Sequence, residues 1–306
     1  MINVKNNPIL TKVNSIKVNS PINIVSIFPS GILISILENR SIIIYDINFQ
    51  ILQEIKNAHE KYIIHLDIKD ELNFATCSLD LNIKTWYKKE KECILNKIIK
   101  NAHTLQINQI IYNSNNIISC SQDNTIKIWE FQNENYQNIT TLADKNYINS
   151  ILLLEDKKIL ISAGWDGTKF WTIKNYELVF SLEDCFCISW NVLKRINDDN
   201  IIIGGSKMCN MKIISIKEKK VIKEIKSPFL SWGIYIIKNM NLVLVGGNSK
   251  NINIYSTENL KCIQIIENAH NKDIMGFIQS KNNLIISYSQ DSTMNIWSFY
   301  KNVKNF

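Results

Sequence analysis

Seven segments of about 42 residues follow one another through this 306-residue chain, and that spacing restricts what it can fold into. The clearest marks are Ile-Lys-Thr-Trp ending at Trp86, Ile-Lys-Ile-Trp at Trp129, Thr-Lys-Phe-Trp at Trp171 and Asn-Ile-Trp at Trp297. Tyr45, Ile214 and Tyr255 fill the same slot in weaker copies, and neighbouring marks stand 41 to 43 residues apart. A copy of this length has room for several short strands but cannot bury its own apolar face, so the copies must pack on one another. The period therefore predicts an all-β chain: a seven-bladed β-propeller of four-stranded antiparallel blades.

Within a copy, short β-branched runs alternate with polar turns. The second copy reads as strands at 62–68, 72–77, 82–87 and 92–100, and the third at 106–112, 115–120, 125–130 and 136–142. No helical period of useful length interrupts them. Nine residues follow Trp297 without an apolar run, whereas a surplus strand, 9–18, precedes the first copy. Supplying it to the last blade closes the ring and covers two open edges. The expected division is 9–18 as closing strand of blade seven, then blades at 19–58, 59–102, 103–143, 144–183, 184–226, 227–267 and 268–306, in one domain over 1–306.

The apolar runs are short, such as Ile151-Leu152-Leu153-Leu154, and none has the length of a membrane span. The N-terminal stretch lacks the apolar core of a signal peptide. Seven cysteines without framework spacing read as reduced thiols, which places the expected location in the cytoplasm, with the nucleus as alternative. The formal charge of +7 points toward acidic partners or nucleic acid. Ile, Asn and Lys are abundant throughout, as an AT-rich genome would give, and the only arginines are Arg40 and Arg195. Arginine is the usual reader of bases and phosphates, so dispersed lysines argue weakly for nucleic acid.

Three copies carry a matched quartet: His59, Thr76, Asp80 and Trp86; His103, Ser119, Asp123 and Trp129; His270, Ser287, Asp291 and Trp297. The Asp lies six residues before the Trp, and the hydroxyl residue four before the Asp. On these residues the chain resembles the WD40-repeat family over nearly its whole length. The resemblance implies a buried relay in which the turn Asp accepts from the imidazole, the imidazole meets the hydroxyl, and the hydroxyl meets the indole N–H. A set that recurs with the structural period is not a hydrolase triad, and histidines one per blade are too far apart to share a metal. No cofactor is expected. The fourth copy keeps Ser162, Asp166 and Trp171 but has Asp144 in the His slot, and the first, fifth and sixth copies have lost the set.

Three further tryptophans fall outside the repeat mark, and the family fold implies that all lie on the top face or its rim. Trp165 precedes the turn Asp166, a position that is ordinarily exposed, and is the leading candidate for partner contact. Trp190 and Trp232 align with Ile63, Ile107 and Ile148, which favours packing between blades over contact. The next position along, Asn23, Ile64, Asn108, Asn149, Asn191, Gly233 and Met275, is expected to face the central channel. Its amides, Asn108, Asn149 and Asn191 among them, are candidates for gripping a peptide, with Tyr62 and Tyr147 around the mouth. This set holds no cluster of acids or histidines, which argues against an enzyme. On the opposite face Lys88, Lys89, Lys91, Lys217, Lys219 and Lys220 read as solvated turn residues. Cys77, Cys120, Cys93 and Cys262 read as small packing residues.

The expected role is that of a non-catalytic scaffold or adaptor that binds peptides or domains on its top face within a larger complex, with no membrane or small-molecule substrate. An RNA- or ribosome-associated propeller is the alternative. A ubiquitin-ligase substrate receptor has less support, since Trp86-Tyr-Lys-Lys and Trp129-Glu-Phe-Gln lack the Arg such receptors usually carry beyond the repeat Trp.

Overall fold

The computed structural model describes residues 9–300 apart from 91, 115 and 206–209. Seven four-stranded antiparallel sheets follow one another in a ring. Blade one consists of Ile22–Ile27, Leu33–Leu37, Ile42–Tyr45 and Ile51–Ile55, and blade two of Ile63–Ile68, Asn73–Ser78, Ile83–Lys89 and Glu92–Ile99. The only helical pieces among the described residues are two 3-10 turns, Glu155–Lys157 and Lys238–Met240. Among the described residues no helix is long and apolar enough to cross a membrane.

The burial of each strand explains its composition. Second strands such as Leu33–Leu37 are buried at every residue because they are covered on both faces. Outer strands such as Glu92–Ile99 are covered far less and carry the charges. The apolar core lies between blades. Phe28 and Ile34 of blade one pack with Ile63, Phe74 and Trp86 of blade two, where Phe74 stacks on Trp86 at 5.9 Å. Each fully buried side chain of this size contributes roughly 1.5–3 kcal/mol, and only the closed ring gives every blade two such interfaces.

Closure is made by the N-terminal strand, Ile9–Lys17, which pairs antiparallel with Thr293–Tyr300 of blade seven. Leu10 is 2% exposed. Its backbone N–H donates to Gln264 Oε1 (3.0 Å), and Gln264 Nε2 donates back to its carbonyl (3.1 Å), which ties the closing strand to blade six.

A β-bulge in the inner strands sets what reaches the channel. In blade two, Ile63 pairs with Ser78 and His65 with Cys77, so Ile64 is the extra residue. The same shift leaves Asn23, Asn108, Asn149, Trp232 and Met275 as the bulged residues of blades one, three, four, six and seven. Trp232, rather than Gly233, therefore takes the position of Asn23 and Ile64; Ser231, not Trp232, matches Ile63. Blade five departs further. Its inner strand is only Leu193–Arg195, and Asn191 ahead of it has φ 55°.

Candidate protein-interaction face

The three quartets close as complete relays. His59 Nδ1 lies 2.9 Å from Asp80 Oδ2, His59 Nε2 lies 2.8 Å from Thr76 Oγ1, and Trp86 Nε1 donates to the same hydroxyl (2.9 Å). Blade three repeats this with His103, Asp123, Ser119 and Trp129 at 2.9, 2.7 and 2.9 Å. In blade seven, His270, Asp291, Ser287 and Trp297 stand at 3.2, 2.7 and 2.8 Å. Proton counting selects the neutral imidazole: the hydroxyl accepts from the indole and donates to Nε2, leaving Nδ1–H for the carboxylate. Burial likewise lowers the pKa of His59 and His103, against the pull of their aspartates. Burial opposes the charge on Asp123, but His103, Thr125 and the Thr104 N–H outweigh it and hold the carboxyl below its usual range.

The drifting blades replace the relay with weaker contacts. Blade four keeps the Trp171 Nε1 donation to Ser162 Oγ (2.9 Å). In place of an imidazole it has Lys169, which pairs with Asp144 and with Asp166 (2.8 Å). Ser35 meets Tyr45 OH in blade one, and Asn253 meets Tyr255 OH in blade six, each at 3.1 Å.

Large apolar side chains surface on three neighbouring blades, of which blade three keeps its relay and blades four and five do not. Leu105, Tyr147, Trp165, Phe186 and Trp190 are all exposed, and all lie on the entry loops or turns of blades three, four and five at the top of the ring. Trp165 stands edge-on to Tyr147 with ring centroids 6.1 Å apart. A close approach fixes this pair. Trp165 N–H donates to the Tyr147 carbonyl (3.0 Å), and a Cβ on Gly164 would sit 2.0 Å from that oxygen, so only glycine fits. Cys187 N–H donates to the Gly164 carbonyl (2.8 Å), which brings the loop bearing Phe186 against the same turn. Trp190 is 41% exposed and Trp232 is half-buried at the channel mouth, so neither fills the blade interface that the repeat alignment favoured. Phe186 and Leu105 escaped sequence reading; an aromatic between two buried cysteines in an irregular loop was the available signal.

The channel corrects two expectations. Its amides mostly staple blades together. Buried Asn108 donates to Ile148 O (2.8 Å) and to Asn149 Oδ1 (2.9 Å), and Asn149 donates to Cys187 O (2.8 Å), so neither is free to grip a peptide. Asn191 Oδ1 accepts from Lys194 Nζ (2.5 Å), and Asn23 Oδ1 from Tyr62 OH (3.1 Å). Nor is the channel without ionisable groups. Past the bulge of blade two, His65 and Asp67, together with Lys194 of the short blade-five strand, line a cavity of about 380 Å³. Burial pushes Asp67 up to about 6, Lys194 down to about 8 and His65 down to about 3. The alternation His65, Asp67 in an otherwise apolar strand was the sequence signal; it was obscured because the bulge shifts which residues face inward.

The opposite face is less basic than its lysines imply. Lys88 is buried, paired with Glu71 and 4.9 Å from the Phe28 ring centre. Lys220 pairs with Glu218 (2.7 Å), and Lys219 lies over Phe180. Lys89 and Lys217 are exposed, and Lys91 lies outside the described residues. Cys77, Cys93 and Cys120 are buried as packing residues, but Cys262 is exposed. No group of three or more His, Cys, Asp or Glu side chains suited to a metal occurs among the described residues.

Comparison with known proteins agrees with this architecture. Residues 95–130 match the family model described as WD domain, G-beta repeat. That span begins in the outer strand of blade two and ends in the third strand of blade three, so the sequence repeat links adjacent blades. The chain is also similar to a probable coatomer subunit beta' of Schizosaccharomyces pombe, at 29% identity over 145 residues. The match covers 44% of this chain and 18% of that relative, so the chain corresponds to a small part of the longer protein.

Proposed function

We propose that this chain, a WD40-repeat β-propeller, serves as a non-catalytic interaction platform within a larger assembly, docking a peptide or domain on the top face of blades three to five. Five large apolar side chains exposed on one face of three neighbouring blades carry the reading. Solvated loops ordinarily shed such groups, and clustered ones mark binding surfaces. Aromatic side chains on a rigid scaffold lose little entropy on contact and dominate binding energies. The relative's name, a subunit of coatomer, supports work inside an assembly, as does a family that is typically non-catalytic.

Affinity purification of the wild type beside a Trp165→Ala/Phe186→Ala double variant tests this. The double variant is expected to fold and to lose the co-purifying proteins. Equal recovery by both would place the working surface elsewhere.

A further inference from the structure

Directly above the ionisable cavity, the channel mouth forms a second cavity of about 380 Å³, walled by Ile64, Ile188, Trp190, Leu230, Trp232 and Met275. That volume accommodates one large side chain. Two polar groups in its wall are buried without a hydrogen-bond partner, Asn23 Nδ2 and Ser189 Oγ. An unmet buried donor is costly to keep, so both are poised for an acceptor from outside. At the floor, Lys194 Nζ touches Asn191 Oδ1, and Asn191 lines both cavities. The ammonium lies in the lower cavity beside this shared residue, with Asn191 its one hydrogen-bond partner among the described residues.

The charge in the channel is unevenly compensated. Asp67 accepts the Tyr112 N–H (2.7 Å) and the N–H of Ile68. No carboxylate lies within ion-pair distance of Lys194 among the described residues. Burial lowers the Lys194 pKa, and the attraction of Asp67 in the same cavity offsets that only in part, which leaves the ammonium the less well held of the two charges.

We propose that the channel mouth receives one glutamate side chain from an extended partner segment, its methylenes between the apolar walls and its carboxylate on Lys194. The two carboxylate oxygens provide acceptors for the ammonium and for a wall donor such as Ser189. A guest lysine or arginine would meet Lys194 head-on, and an apolar guest would leave every polar group unmet. This rests on the top-face reading, since the segment reaches the mouth across the exposed aromatics beside it.

Random heptapeptides displayed on phage and selected on purified protein test the proposal. Wild type is expected to enrich apolar peptides with glutamate at one fixed position. Lys194→Met, with an unchanged melt, should keep the apolar signature and lose the glutamate preference at least tenfold; Lys194→Arg should retain it. Enrichment on wild type without an acid preference, or the same preference on Lys194→Met, overturns the glutamate site and leaves the top-face reading standing. Trp165→Ala/Phe186→Ala selecting the same peptides as wild type, or no enrichment on any protein, overturns the top-face reading and this proposal with it.

Discussion

Blades two, three and seven differ from blades four to six in how they hold their top turns. In the first group an imidazole, with almost no exposure, bonds the turn aspartate and the strand hydroxyl at once. The turn is then part of the core. In blade four the corresponding contact is an ammonium bridging two carboxylates, and Asp166 is 30% exposed. In blade five even the inner strand shrinks to three residues. Blades four and five lack the imidazole tie and carry Tyr147, Trp165, Phe186 and Trp190 exposed at the top, while Leu105 stands on blade three, whose relay is complete. The difference teaches that a buried imidazole makes the top turn part of the core in blades two, three and seven, while blades four to six hold theirs by other contacts.

The strongest way to break this comparison is at the ring seam. Deleting residues 1–18 removes the closing strand and the buried Leu10, and should abolish the cooperative melt. A retained sharp transition would show that blade seven does not need it.

Removing the turn aspartates sharpens the contrast. Asp123→Ala strands the His103 N–H and several backbone donors and should cost about 2–3 kcal/mol in denaturant melts. Asp166→Ala removes a half-open ion pair and should cost less than about 1 kcal/mol. Similar costs would mean the two groups of blades are equally tied.

Acid should loosen the regular blades first. His59 and His103 have lowered folded pKa values, so their contribution is complete above an unfolded pKa of about 6.5 and declines below it. Asp80 and Asp123, also lowered, add a further loss below about 4. Asp67, raised to about 6, acts in the opposite sense between about 4 and 6, while buried His65, lowered to about 3, adds to the loss from about 6.5 downward. The melting temperature should hold near pH 7, slip below about 6.5 and fall steeply below about 4. A flat profile down to pH 4 would contradict the neutral-imidazole relay.

The smallest effect on stability belongs to the candidate interface. Trp165→Ala, exposed and away from any relay, should shift the folding free energy by no more than about 1 kcal/mol.

The ring was legible because its period, its Trp marks and the Asp-to-Trp spacing are all local in sequence. The surplus strand at 9–18 was legible for the same reason: one copy lacked a strand and the other end had a spare. The channel was not, because one bulged residue in six of the seven inner strands reverses the alternation from there on, and a bulge leaves no residue signature here. That shift moves Trp232 by one position and turns His65 and Asp67 inward, while Lys194 lies on the shortened strand of blade five, which departs from the repeat. Asn108 and Asn149 misled for another reason. An amide facing a channel looks available until the neighbouring blade's carbonyl stands 2.8 Å away.

The most direct test of the division between scaffold and working face is hydrogen exchange on the chain alone and in complex with the partner it captures. Protection gained on binding is expected at 103–106, 144–147, 164–167 and 183–191, with the turns of blades two and seven unchanged. Protection appearing instead on blades two and seven, or on the opposite face, would contradict it.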